Sequence, residues 1–405
     1  MAKRHVSRRV HGIGIVLALL ALIVAGCGSG GSGNYTKGDI KIGWLSSLTG
    51  PLSAAAIGED RGVKFAVQQI NNDGGINGRK IKLVVRDTQG DPTRAVSSAN
   101  ELIQKERVDA IIGPVNSGEA LPVVPVIAKS GTPNIIIGTV DSLTNAKKYP
   151  NAFRTIATNE QWVEAAAKYL TGTLQIKKIA ILGDTTGYGT ATVDQAADIV
   201  KAAGGSVSYK GLIDPSQTDV TSDIMKARAS GADALMVWSA AAGLDARIIN
   251  TRTTLDWDVP IVGHPALSSG DTAKLLSDRA NWSKVYSVGY RSMSTDASGS
   301  APKSTKEFVD NAGSSVLGKS IDYTLWWAAL GYDSVQTVRH AIEEAGSTDP
   351  KAMRKALEQT SKLPGVFGTY SWSPQDRNGF PTQGVVMNEA SSFKDGIFEL
   401  APGYK

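Results

Sequence analysis

The sequence predicts an α/β protein in which parallel strands alternate with single helices, arranged in two lobes. Three observations carry this. Short apolar runs, too short for helices, each lead into a segment with helical spacing of apolar residues. Three of the runs stop abruptly at glycine and small polar residues: Ala110-Ile111-Ile112 at Gly113-Pro114, Ala180–Leu182 at Gly183, and Pro260–Val262 at Gly263. Strand ends of this kind mark the ligand edge of open α/β sheets. Finally, nine or ten such strands exceed one comfortable sheet, and Phe153–Ala157 is the expected crossing between lobes.

In chain order, Gly28–Gly38 has the Gly/Ser composition of a flexible tether. The strand Ile40–Leu45 opens the folded body and leads into the loop Ser46–Pro51. A helix follows, with Val63, Ala66, Val67 and Ile70 at i, i+3, i+4, i+7, and Gly74-Gly75 stops it. Ile81–Arg86 is a strand. Asp91-Pro92 starts a helix with a capping acid and a first-position proline, burying Ala95, Ala99, Leu102 and Ile103. After the strand at Ala110, Asn116 or Ser117 caps a helix through Val123–Ala128, and the strand Asn134–Ile137 ends in Gly138-Thr139. The second series runs helix 161–170, strand 178–182, helix 191–203, strand 206–212 and helix 220–229. Strand 234–238, helix 244–252, strand 259–262, helix 272–276 and strand 284–288 complete it. Beyond Tyr290, helices at 302–317, 322–344 and 349–361 return to the first lobe, and strands at 368–372, 384–388 and 397–400 close the chain.

Composition narrows the function. The formal charge of +5 includes Lys3, Arg4, Arg8 and Arg9; without them the balance is 39 basic to 38 acidic residues. That gives no electrostatic support for a nucleic-acid partner. A basic start followed by the apolar run Ile13–Ala25, too short to span a bilayer, reads as a signal peptide over residues 1–27. It ends in Val24-Ala25-Gly26-Cys27, which resembles the bacterial lipobox, and Cys27 is the only cysteine. The expected location is therefore extracytoplasmic, held to the cell membrane through lipid on Cys27.

The motifs argue for binding rather than turnover. Gly313–Ser320 satisfies the phosphate-loop letter pattern, but a charged helical stretch, not a strand, precedes it, so no nucleotide site is expected. No spaced His/Cys cluster and no nucleophile elbow is present, and neither a metal nor a cofactor is implied. Ser117 and the free N–H groups of its helix offer a seat for a carboxylate. Tyr188, flanked by Gly187 and Gly189, is a candidate ligand wall. Trp238, at a strand end, is either core or ligand wall, and Trp326-Trp327 reads as core. His264 is a cleft candidate by position, or a structural hydrogen-bonder.

Taken in order, Ile40–Pro51, Ile70–Gly78, Arg86–Ala95, Ile112–Ser117, Phe153–Thr155 and Asp184–Gly189 resemble the leucine/isoleucine/valine-binding family of extracellular solute receptors for ABC importers. The resemblance covers residues 39–400. It implies a type I periplasmic-binding-protein fold, with two Rossmann-like lobes joined by three hinge crossings and the ligand clamped between them. The expected lobes are 39–155 with 290–369, and 156–289 with 370–405. The family pattern places Ser117 and Thr139 on the ligand carboxylate, with backbone groups of Ile137 and Gly138 and the cap Asn116 beside them. Tyr188 would cover the ligand from the second lobe. Two positions depart from the pattern. Ile57 stands where an aromatic is expected, and His264-Pro265 stands where an acid for the α-ammonium is expected. Asp141 or Asp184 would have to replace that acid, or the ligand lacks an amino group. The expected protein is a monomeric receptor that passes a small carboxylate or amino acid to the permease subunits of an importer. The alternatives are a receptor for a non-amino organic acid or amide, or a ligand-sensing subunit of a signalling system.

Overall fold

Ile40, Ile42 and Trp44 alternate along the first strand with no exposed surface at all, as befits a strand covered on both faces by helices. In the computed structural model, which describes Met1 and residues 38–404 apart from 51, 52, 296, 297, 320 and 322, this strand (β1, Ile40–Ser46) lies inside a parallel sheet, with a strand on either side. The sheet also contains β2 (Ile81–Asp87), β3 (Ala110–Ile112), β4 (Asn134–Ile136) and β5 (Ala152–Arg154), in the order β2-β1-β3-β4-β5. Its register is set by pairs such as Ile40 with Ile81, Ile42 with Ala110 and Ile111 with Asn134. Each fully buried Ile or Val side chain contributes roughly 1.5–3 kcal/mol.

The second sheet is built from β6 (Lys178–Asp184), β7 (Ser206–Ile213), β8 (Ala234–Trp238), β9 (Ile261–Gly263) and β10 (Val285–Tyr290), all parallel. Two short strands, β11 (Ser294–Thr295) and β12 (Leu363–Pro364), and a third, β13 (Thr369–Tyr370), lie outside it. β14 (Val385–Glu389) joins the second sheet antiparallel to β10, and β15 (Phe398–Glu399) pairs with β11.

The helices are α1 (Ser53–Asn72), α2 (Pro92–Glu101), α3 (Ser117–Ser130), α4 (Asn159–Lys168), α5 (Gly187–Ala202), α6 (Thr221–Ala229), α7 (Ala242–Thr254) and α8 (Gly270–Leu275). Then come α9 (Lys303–Leu317), α10 (Trp326–Ala345) and α11 (Pro350–Glu358). Local chemistry starts them where expected. Asp91 accepts the N–H of Arg94 at 2.7 Å ahead of Pro92, and Asp349 does the same for Ala352 at 2.9 Å ahead of Pro350. Thr158 and Gln161 form a reciprocal capping box on α4 (3.2 and 2.7 Å), so the helix begins directly after the first crossing. The late helix α10 does return to the first sheet, packing along α1.

Two sequence expectations shift, the start of α5 and the 369/370 boundary. α5 starts at Gly187 rather than 191, because Thr186 caps it by accepting the N–H of Gly189. Tyr188 thus belongs to a helical first turn rather than a free loop. Gly313 lies inside α9 at φ 63°, with helix before it and no strand feeding it; Ser320 of the phosphate-loop pattern lies outside the described residues. The boundary at 369/370 comes too early. Arg154 of β5 donates its N–H to the Arg377 carbonyl at 2.8 Å and accepts from Gly379 at 2.9 Å. Trp372 also donates to the Arg154 carbonyl at 3.0 Å. Residues 372–379 therefore still run beside the first sheet, and the chain reaches the second only at β14.

Candidate functional site

The C-terminal ends of β3, β4, β6, β8 and β9 converge on one cavity of about 50 Å³. The first-lobe wall comes from Asn116 and Ser117 at the start of α3 and from Ile137 and Thr139 after β4. Asn116 caps α3 by accepting the Gly118 N–H at 2.8 Å, which places Ser117 at the first helical position, facing the cavity. The Ser117 hydroxyl oxygen accepts two N–H groups, from Thr139 at 2.9 Å and Val140 at 3.3 Å. With both acceptor positions taken, its own O–H is left to donate. Thr139 spends its N–H on Ser117 and its carbonyl on the Asn159 N–H (2.8 Å), which leaves its hydroxyl free of protein partners.

The opposite wall carries Tyr188, on the first turn of α5, and His264, just after β9. His264 Nδ1 accepts the Ala266 N–H at 3.0 Å, so the ring proton resides on Nε2. Burial holds the imidazole neutral, its pKa pushed down to about 3. Its ring packs edge-on against Trp162 (5.4 Å between centroids) and Tyr188 (5.3 Å). Trp162 donates its own Nε1–H to the Tyr290 hydroxyl at 2.8 Å, fixing the indole in place. Burial, with the charge of Asp184 adding to it, raises the Tyr188 pKa well above its ordinary value; its hydroxyl has no hydrogen-bond partner.

Of the sequence candidates, Asn116, Ser117, Ile137, Thr139, Tyr188 and His264 come together here. Five do not line the cavity. Gly138 donates its N–H to Pro114 (3.2 Å) and serves by being small, since a Cβ there would sit 3.2–3.3 Å from Ala120 and the Ser117 backbone. Ile57 is 45% exposed; on α1 the residue two positions from cavity-lining Ala55 points to another face. Trp238 is fully enclosed at the end of β8. Asp184 is saturated locally, accepting from Thr186 and, at 3.2 Å, from the Ala240 N–H. Asp141 accepts from Gln195 Nε2 at 2.9 Å, outside the cavity.

Sequence reasoning missed Trp162 and Ser269, and read Trp327 as core only; all three line the cavity, and Trp327 is also buried. Trp162 had a usable signal: a capped helix beginning straight after a lobe crossing brings its first turn to the cleft. Among the described residues no group of three or more His, Cys, Asp or Glu side chains could hold a metal ion, and no nucleophile–base pair faces the cavity. The arrangement offers an anion seat at a helix N-terminus, walled by Trp162, Tyr188 and Trp327.

A family model described as "Periplasmic binding protein" matches residues 39–394. The chain belongs to the periplasmic binding protein family. It is 28% identical over 343 residues to a Leu/Ile/Val-binding protein, BraC3, of Rhizobium johnstonii, covering 82% of this chain and 87% of that one. A type 1 periplasmic binding protein from Bordetella pertussis has the same fold at a TM-score of 0.80 and 26% identity, covering 90% of this chain and all of the other. LivJ of Streptococcus pneumoniae, solved in complex with isoleucine, matches at a TM-score of 0.77 and 24% identity, over 90% of this chain and 99% of LivJ; this likeness concerns the fold. This periplasmic binding protein therefore has the type I fold that the ordered motifs suggested, and its relatives bind solutes rather than transform them. No helix among the described residues is long and apolar enough to cross a membrane.

Proposed function

We propose that this protein is a lipid-anchored extracytoplasmic receptor that closes two lobes on a small carboxylate and delivers it to an ABC importer. The observation that carries the reading is Ser117: a hydroxyl held at the first position of α3, its oxygen saturated by Thr139 and Val140, with only its hydrogen left to give. That hydrogen, the Thr139 hydroxyl and the helix N-terminus together suit an anionic oxygen. The names of the curated relatives support branched-chain amino acids as a first ligand class; His264, standing where an acid is expected, keeps non-amino organic acids beside them. The anchoring part rests on Cys27, which lies outside the described residues, and on the lipobox-like run before it. The division into lobes follows the two sheets, with crossings near 155 and 290 and a third between 380 and 385.

The test is calorimetric titration of the purified protein with amino acids, organic acids and the amides of both. Ser117→Ala should weaken the best ligand by roughly 1.5–3 kcal/mol, about 10- to 100-fold, as for a hydrogen bond to a charged group. Amides binding as well as the acids, with no loss in Ser117→Ala, would overturn the carboxylate reading.

A further inference from the structure

Among the described residues, those lining the cavity supply donors and neutral aromatic faces but no anion. Each carboxylate near it is engaged or enclosed elsewhere. Asp184 is saturated by Thr186 and Ala240, and Asp141 is tied to Gln195. Glu59, one turn along α1 from Ala55, is fully buried without reaching the cavity, and burial holds it well above the usual carboxylate range. Asp245 is likewise enclosed and raised by burial. The acceptors present are uncharged: Asn116 Oδ1 already takes the Gly118 N–H, Ser269 Oγ the Thr272 N–H at 3.1 Å, and the hydroxyls of Thr139 and Tyr188 carry no charge to offer. An ammonium sealed here would lose its water and meet no charge to replace it, which is costly for a buried cation.

His264 supplies the opposite chemistry. Its Nδ1 is occupied by the Ala266 N–H, and its Nε2 has no protein partner. His264 lines the cavity and is 5% exposed. What it presents is therefore an N–H donor, held in orientation by Trp162 and Tyr188 on either side. A buried donor favours a ligand that accepts. The cavity is also small, about 50 Å³. The anionic and accepting groups of the ligand must then lie close together.

We propose that the site selects a compact 2-oxo or 2-hydroxy carboxylic acid, its carboxylate on Ser117 and Thr139 and its uncharged acceptor on His264 Nε2–H, over the corresponding amino acid. This deepens the receptor reading above and rests on it.

The experiment uses two matched series: pyruvate, alanine and propionate, and 4-methyl-2-oxopentanoate, leucine and 4-methylpentanoate. Each is titrated calorimetrically into the wild-type protein. In at least one series the oxo acid should bind tenfold or more tighter than the amino acid, and tighter than the plain acid. His264→Phe retains a ring between Trp162 and Tyr188 but removes the donor, so the advantage of the oxo acid over the plain acid should vanish. His264→Asp keeps an acceptor for the Ala266 N–H and adds a negative charge, so the order of oxo acid and amino acid should reverse. Should either substitution unfold the protein, the wild-type ranking decides alone. Amino acids binding as tightly as oxo acids, or tighter, overturn the proposal and leave the receptor reading standing. Binding in neither series also overturns it, and the carboxylate reading falls with it only if the wider panel yields no acid.

Discussion

Glu119 sits two residues beyond Ser117, only 1% exposed in the first turn of α3, and neither carboxyl oxygen has a hydrogen-bond partner. Burial raises its pKa to about 7 against the pull of the nearby Thr88 hydroxyl, with the charges of Asp87 and Asp91 adding to burial. The folded protein thus keeps a proton that the unfolded chain gives up near pH 4.5. Stability must fall as pH rises between these values and level off above about 7. Glu119→Gln removes the penalty. It should leave stability nearly unchanged at pH 5 and raise it at pH 8 by up to about 3 kcal/mol, at roughly 1.4 kcal/mol per pKa unit. Urea unfolding at the two pH values measures this, and an equal effect at both would contradict it. The sequence placed Ser117 at this helix start but gave no sign of the trapped acid, since Glu in a first turn ordinarily faces water and the helix dipole favours its charge.

At the scale of elements, the packing of α1 on α10 depends on missing side chains. A Cβ at Gly62 would overlap the carbonyl oxygen of Ala328, and one at Gly331 would overlap that of Glu59. The two backbones are therefore in direct contact, with Ala66 and Ala328 fully buried nearby along the same helices. Gly62→Ala ordinarily favours a helix by up to about 1 kcal/mol. Here the methyl must push the helices apart, and a net loss of about 3 kcal/mol is expected, at the upper end for overpacking. Thermal unfolding would show a lowered transition; a raised one would mean that the helices can separate freely. The apolar stripe Val63, Ala66, Val67 and Ile70 was legible because it repeats within one helix, and all four are buried. The role of Gly62 was not, because it depends on a helix more than 260 positions away in sequence.

Across the whole molecule, polar ties join the lobes around the cavity. Gln195 on α5 donates to Asp141 of the first lobe at 2.9 Å while accepting from Asn159 Nδ2 at 2.6 Å. Gln195→Ala removes a tie made across the cleft and should leave each lobe folded. We expect ligand release to speed up by roughly 2- to 10-fold, the worth of one ordinary hydrogen bond, with association little changed. Stopped-flow traces separate the two rates, and a slower association with unchanged release would contradict this role. The proposed lipid anchor also bears on the whole chain. Cys27→Ser should yield a folded protein recovered in soluble fractions, because two lipid signals or a spanning helix are needed for firm attachment without that cysteine. Retention of the variant in membranes would refute the lipid anchor.

The sequence by itself determined the parts governed by near neighbours. Strand and helix periods, the caps Asp91 and Asn116, and the strand ends at Gly113, Gly183 and Gly263 depend on interactions within a few residues, and each lies in or beside the element it foretold. Only the tertiary structure decided which of those ends share a cavity. It turned Ile57 outward, enclosed Trp238, tied Asp141 and Asp184 to other partners, and brought Trp162 and Trp327 to the cavity wall. It also fixed the proton of His264 on Nε2 through one bond to Ala266. Such outcomes depend on contacts between distant segments, such as Thr155 with Ser334 at 3.1 Å and Arg154 with Asn378 at 3.0 Å, which no local pattern encodes. Periodicity tells which face of a segment is buried; what it is buried against is settled only when the lobes meet.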